Sequence, residues 1–79
     1  MYFVYVLKSQ SLNKRYIGQT NSLQQRLERH NTSNYGFTRT GRPWILIYIE
    51  EIQTRGEAMK RERFLKSGKG REFLNSMGK

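Results

Sequence analysis

Tyr16, Gly18, Arg26 and His30 fall within one stretch, RYIGQTNSLQQRLERHN, which runs from a strand-like segment into a helix-like one. A phenol, a guanidinium and an imidazole at one strand-to-helix joint can hold an anion and move a proton. With Leu23 as origin and about 100° per residue, Leu27 sits at about +40°, His30 at about −20° and Arg26 at about −60°. Arg26 and His30 are therefore neighbours one turn apart, at the border of the apolar stripe. On spacing alone the histidine is either a satisfied core residue or a catalytic one. Arg26 is either a solvated charge or an anion ligand.

A carboxylate stands where it needs compensation. Taking Ala58 as origin, Leu65 falls at about −20° and Glu62 at about +40°, on the side of its helix that packs inward. An ionised carboxylate removed from water is costly unless a cation or strong donors compensate it. Either Glu62 pairs with Arg61 or Lys66, or it is a metal ligand on a cleft floor. The strands add hydroxyls. A hairpin symmetric about Gln10 and Ser11 sets Tyr5 opposite Tyr16 on one face, about 5–6 Å apart at their Cβ atoms. Gly18, two residues beyond Tyr16 on the same face, leaves a gap through which a ligand or another backbone can approach.

These groups need elements to hold them. Tyr2 to Lys8 is β-branched and aromatic on both alternating faces, as in a central strand covered on both sides. Gln10 to Lys14 is a polar turn, and Arg15 to Thr20 returns as an edge strand. Asn21 followed by Gln24 reads as an N-cap signature for a helix from about Ser22 to Asn31. Thr32 to Pro43, rich in Gly, Ser, Thr and Asn, reads as a loop whose Tyr35, Phe37, Arg39 and Arg42 suit stacking on bases and contact with a backbone. Trp44 to Ile49 is an uninterrupted apolar run, a further buried strand. Thr54 and Glu57 form a capping box for a helix from Arg55 to about Ser67. After a break at Ser67–Gly70, Arg71 to Met77 makes a short terminal helix. The break is not a phosphate loop, because position 63 is arginine where that motif needs glycine. The fold class is α/β, a three-stranded antiparallel sheet flanked by helices in the order β-β-α-β-α with a helical tail.

Seventy-nine residues bound this to one domain, residues 1–79. The absence of cysteine excludes a disulfide framework and a thiolate metal site. The opening MYFVYVL is too short to span a bilayer and lacks the flanks of a signal peptide, so the expectation is a soluble, cytoplasmic protein with no membrane partner. Fifteen Lys and Arg against six acids give a net charge of +9, a field that attracts polyanions and suits a phosphate backbone. Bases interleaved with aromatics favour nucleic acid over an anionic membrane surface.

Taken in order, Phe3-Val4-Tyr5, then Tyr16-Ile17-Gly18, then Arg26 and His30 in RLERH, then Glu62 in EAMKRERFLKS, resemble the GIY-YIG nucleases, and in particular their small stand-alone bacterial members. The likeness covers almost the whole chain. The first motif keeps only its tyrosine, and the family's late asparagine corresponds to Asn75 by position.

The resemblance implies a divalent-metal-dependent endonuclease acting on DNA. Glu62 would hold one Mg²⁺ or Mn²⁺, which keeps most of its waters and stabilises the leaving oxygen. Arg26 would neutralise charge on the reacting phosphate. Tyr5 or Tyr16 would orient the attacking water, with His30 relaying its proton, and Gly18 would admit the phosphate. Arg39, Arg42, Lys66, Lys69 and Arg71 would meet the nucleic-acid backbone. One copy of the site cuts one strand, so cutting both calls for a homodimer or a separate DNA-binding partner. Two other readings stand beside this one: a binding module of the same fold that cleaves weakly or not at all, and an RNA-directed nuclease.

Overall fold

The computed structural model describes residues 1–32 and 42–79, without the side chains of His30 and Thr32. The elements are β1 (Tyr2–Ser9), β2 (Arg15–Thr20), α1 (Leu23–Thr32), β3 (Trp44–Ile52), α2 (Arg55–Lys66) and α3 (Gly68–Ser76). The strands form one antiparallel sheet in the order β2-β1-β3. As its pattern requires, β1 is central, with Val4, Tyr5, Val6 and Leu7 all at most 1% exposed.

Alternation along β1 divides the interior in two. Val4 and Val6 pack with Ala58, Leu65 and Leu74 from α2 and α3. Tyr5 and Leu7 pack with Trp44, Tyr16, Leu46 and the α1 leucines, Leu23 and Leu27. The fully buried side chains of the first face are all aliphatic, with aromatic rings at their margin, whereas the second face buries a phenol and an indole.

The hairpin register differs from the symmetric one. Tyr5 lies opposite Gly18, and Tyr16 opposite Leu7. The turn centres between Ser11 and Leu12. There the Leu12 N–H donates to the hydroxyl of buried Ser9 at 2.9 Å, and Asn13 adopts a left-handed φ of 54°. The displacement is even, so Tyr5, Tyr16 and Gly18 still share a face. A bulge between Val6 and Leu7 shifts the β1–β3 register, and β3 runs three residues past the expected end.

The helix entries follow local chemistry. α1 starts one residue late, with the Arg26 N–H donating to the Ser22 carbonyl at 3.1 Å. The Thr20 hydroxyl holds the entry by accepting from the Ser22 N–H at 3.0 Å. At α2 Thr54 is the N-cap: Glu57 N–H donates to Thr54 Oγ1 at 3.2 Å, and that hydroxyl donates to Glu57 Oε1 at 3.0 Å, where a capping box would turn the carboxylate to the Thr54 N–H. The expected break at Ser67–Gly70 is a single residue. Ser67 ends α2 by donating its N–H to Phe64 O and starts α3 by accepting from Gly70 N–H at 3.2 Å, so α3 begins at Gly68 rather than Arg71. A Cβ at Gly70 would run into the Phe64 carbonyl and the Leu65 backbone, which is why glycine belongs at this corner.

Candidate active site

Tyr5 is the hub of the aromatic face. Its ring stacks on that of Tyr16 with centroids 6.4 Å apart and planes 27° apart, and Tyr16 meets Trp44 edge-on at 6.2 Å. The two tyrosines are diagonal neighbours across the strands. Gly18 makes this packing possible, because a Cβ there would lie 2.7 Å from the Tyr5 hydroxyl oxygen and 3.2 Å from the Tyr16 ring. The gap at Gly18 is filled by Tyr5 and Gly18 is buried, which corrects the expectation that it admits a phosphate.

Tyr5 is 1% exposed, and its phenol is held well above the ordinary tyrosine range. Burial is the main cause, and Tyr16 adds to it. The charge of Arg26 lowers the pKa and that of Glu62 raises it, so residues from α1 and α2 both act on one β1 hydroxyl. Tyr5 and Tyr16 are in ring contact, and the charges of Arg26 and Glu62 are felt at the Tyr5 hydroxyl. Tyr16 is only half-buried and lines an open cavity, so solvent reaches it where it does not reach Tyr5. Arg26 lines a separate groove at the start of α1 with Thr20, Asn21, Gln25 and Arg29. His30 lies one turn after Arg26 on α1, and its side chain is outside the described residues.

Glu62 is inward-facing with a side chain 23% exposed, and it is paired: Lys66 Nζ lies 2.7 Å from its Oε2, one turn along α2. Of the two cations expected to compensate it, Lys66 is the partner. The other cation considered for Glu62, Arg61, is engaged elsewhere. Its Nε and Nη2 donate to the two oxygens of Glu50 on β3 at 2.8 and 2.9 Å, and Tyr48 donates its hydroxyl to the same carboxylate at 2.5 Å. The guanidinium also lies 4.7 Å from the Phe64 ring and 5.2 Å from that of Phe73. Burial alone pushes Glu50 up, but the hydrogen bonds from Arg61 and Tyr48 and the Arg61 charge outweigh it, leaving the carboxyl below its ordinary range. The turn of α2 that carries Glu62 is thereby anchored to β3. Residue spacing carries no sign of this clamp, which depends on the pairing of β3 with β1.

The basic residues divide. Lys66 and Arg71 line the cavity that Tyr16 borders, and Lys69 is exposed on the first turn of α3. Arg42 is turned towards the protein: its Nη1 donates to the Asn31 carbonyl at 3.2 Å, and its own carbonyl accepts from Ser11. Asn31, which pattern reading passed over, exchanges two hydrogen bonds with the Trp44 backbone, at 2.7 and 3.1 Å, and fastens the end of α1 to β3. Asn75 Oδ1 accepts from Arg15 at 2.5 Å and so ties α3 to β2. Tyr35, Phe37 and Arg39 lie outside the described residues.

Among the described residues no three His, Cys, Asp or Glu side chains gather. An ion here would rest on the Glu62 carboxylate, with water completing its shell. That donor set fits a hard, strongly hydrated divalent ion held through one or two carboxylates, and does not fit a fully protein-ligated metal such as structural zinc.

The three-stranded antiparallel sheet thus carries a tyrosine on each of two neighbouring strands, with an arginine and a glutamate on the flanking helices. The GIY-YIG catalytic domain matches residues 1–75, and the chain belongs to the GIY-YIG family. It is similar to a UPF0213 protein of Staphylococcus haemolyticus, 34% identical over 67 residues, 84% of this chain and 80% of that one. It is also similar to the UPF0213 protein YazA of Bacillus subtilis, 38% identical over 66 residues, and to a UPF0213 protein of Desulfotalea psychrophila, 37% identical over 67 residues. Those alignments take in 82% of this chain but 66% and 60% of the respective relatives, so the chain spans less than two thirds of their length. No solved structure matches it. No helix among the described residues is long and apolar enough to cross a membrane.

Proposed function

We propose that residues 1–79 form a single cytoplasmic nuclease domain that hydrolyses phosphodiester bonds in DNA with the help of one divalent ion, nicking one strand per site. The observation that carries this reading is the GIY-YIG match over residues 1–75, and the packing of Tyr16 on the buried Tyr5 ring supports it.

The chain's own residues divide the work. Arg26 donates fixed N–H groups to the non-bridging oxygens of the scissile phosphate, where negative charge grows as water attacks. Tyr16 orients that water by accepting a hydrogen bond from it and passes its own phenolic proton on as the water's proton arrives. His30 follows Arg26 by one turn and is the imidazole that would take that proton. Tyr5 stays protonated, because burial disfavours the phenolate, and it braces the Tyr16 ring. Glu62 would hold Mg²⁺ or Mn²⁺ by one carboxylate after Lys66 moves aside. When bound, the ion neutralises phosphate charge and stabilises the leaving oxygen. A second copy of the chain or a separate DNA-binding partner would be required to cut both strands.

The test is incubation of purified protein with supercoiled plasmid in Mg²⁺, Mn²⁺ or EDTA. Conversion to open circles that depends on the ion is the expected result. Intact plasmid under every condition, with protein shown to bind it, would leave a binding module as the better account.

A further inference from the structure

A cavity of about 690 Å³ opens between the β1–β2 hairpin and the joint of α2 and α3. Its wall carries Lys8, Lys14 and Arg15 from the hairpin and Lys66 and Arg71 from the helices, with Tyr16 at its margin. No Asp or Glu is among its described lining. Five cations around one concavity repel one another and focus a positive potential there, an arrangement whose electrostatic cost is relieved by a polyanion. Arg15 is held in place, its guanidinium donating to Asn75 and to the Lys79 carbonyl, whereas Lys8 and Lys14 are exposed.

Two residues join this cavity to the candidate active site. Tyr16 belongs to both, and Lys66 lines the cavity while its ammonium rests on Glu62. We propose that this cavity is a second binding site for the nucleic-acid backbone, holding phosphodiester groups displaced along the strand from the bond at Arg26 and Tyr16. It rests on the nuclease reading only for the identity of the polyanion. Lys8, Lys14 and Arg15 bring no motif of their own, and the hairpin turn sets them facing helices some fifty residues further along the chain.

The test measures binding of a labelled oligonucleotide, duplex and single-stranded in separate arms, by anisotropy across a salt series in EDTA. Lys8→Gln/Lys14→Gln is compared with Arg55→Gln/Lys60→Gln, which removes the same charge from exposed positions of α2 outside the cavity. The expected result is an affinity loss of about tenfold for the cavity pair and less than about twofold for the control. The slope of log K against log salt should become shallower by about 0.9 per lost contact with duplex and about 0.7 with single strand. Arg71→Gln alone should move affinity and slope the same way, and melting curves confirm that all variants fold. Equal losses for the two double variants, or parent-like binding by the cavity pair, would overturn the proposal. Because binding is read without metal, a parent that binds but never cuts plasmid removes the nuclease reading and leaves the cavity result standing.

Discussion

Two carboxylates of this chain meet cations in contrasting ways. Glu50 accepts from two guanidinium nitrogens of Arg61 and from the Tyr48 hydroxyl, and that guanidinium itself lies over two phenylalanine rings. Glu62, one residue from that arginine, meets a single ammonium on a flexible stem whose side chain is 55% exposed. The first is planar, multiply bonded and held by three elements, so either partner alone would be left uncompensated. The second lies along one helix turn, and pairs of that kind contribute about 0.3–0.5 kcal/mol. A fold that locks one acid and leaves its neighbour exchangeable keeps the second available for another cation.

The sharpest way to break that contrast is Glu62→Gln, which keeps the shape and removes the charge. If Glu62 is a metal ligand, ion-dependent nicking should fall by about a thousandfold or more, since such ions contribute several kcal/mol to the transition state. A variant that nicks at the parental rate would make Glu62 another structural acid. Next in size is Arg26→Lys, expected to lose about a hundredfold in single-turnover rate with most DNA affinity retained, because lysine keeps the charge and loses the planar donors. Equal rates for variant and parent would return Arg26 to the solvated surface.

Smaller effects fall on stability. Gly18→Ala would set a methyl 2.7 Å from the Tyr5 hydroxyl oxygen, and overpacking of that kind costs about 1–3 kcal/mol. A denaturation midpoint equal to the parent's would show that the Tyr5 pocket yields freely. Glu50→Gln should cost a similar amount, about 1–3 kcal/mol, by leaving Arg61 without its anion. The folded Glu50 carboxyl lies below its ordinary 4.5, so its contribution is fully present above that value and is lost as pH falls through the folded pKa. The parent and Glu50→Gln stability curves should therefore converge on acidification. Curves that stay parallel from neutral pH to pH 3 would mean that the clamp is not linked to the carboxylate.

The same contrast shows how much the sequence could reveal. Period-two alternation placed Tyr5, Tyr16 and Gly18 on one face, and an even register shift preserved that parity although it changed the partners. Caps at Thr54 and the glycine corner after α2 are local chemistry, legible within a few residues. Helical spacing put Glu62 inward beside Lys66 because both lie on one element. It could not find Glu50 as the partner of Arg61, since that pair spans a strand and a helix and is set by how β3 docks. Nor could it tell that Gly18 makes room for a phenol rather than a phosphate, because the filling side chain comes from the neighbouring strand. The cationic cavity was hidden for the same reason, its two walls being distant in sequence.

The smallest expected effect bears most directly on the exchangeable pair. Lys66→Gln removes an i,i+4 ion pair whose lysine is more than half exposed, so thermal stability should drop by only about 0.3–0.5 kcal/mol. Metal binding should move the opposite way. A divalent ion on Glu62 must displace the ammonium and then tolerate it nearby, and like charges a few ångströms apart at a partly screened site repel by about 1 kcal/mol or more. Removing that charge should therefore tighten Mn²⁺ binding by about fivefold, read by calorimetry or by the spin-resonance signal of free Mn²⁺, neither of which depends on cleavage. Glu62→Gln supplies the reference, in which the gain from Lys66→Gln should vanish because the ligand has gone. If Lys66→Gln binds Mn²⁺ no better than the parent, or if the gain persists without the Glu62 charge, the ammonium and the ion do not share that carboxylate. The pair would then belong with Glu50 and Arg61 as structure alone.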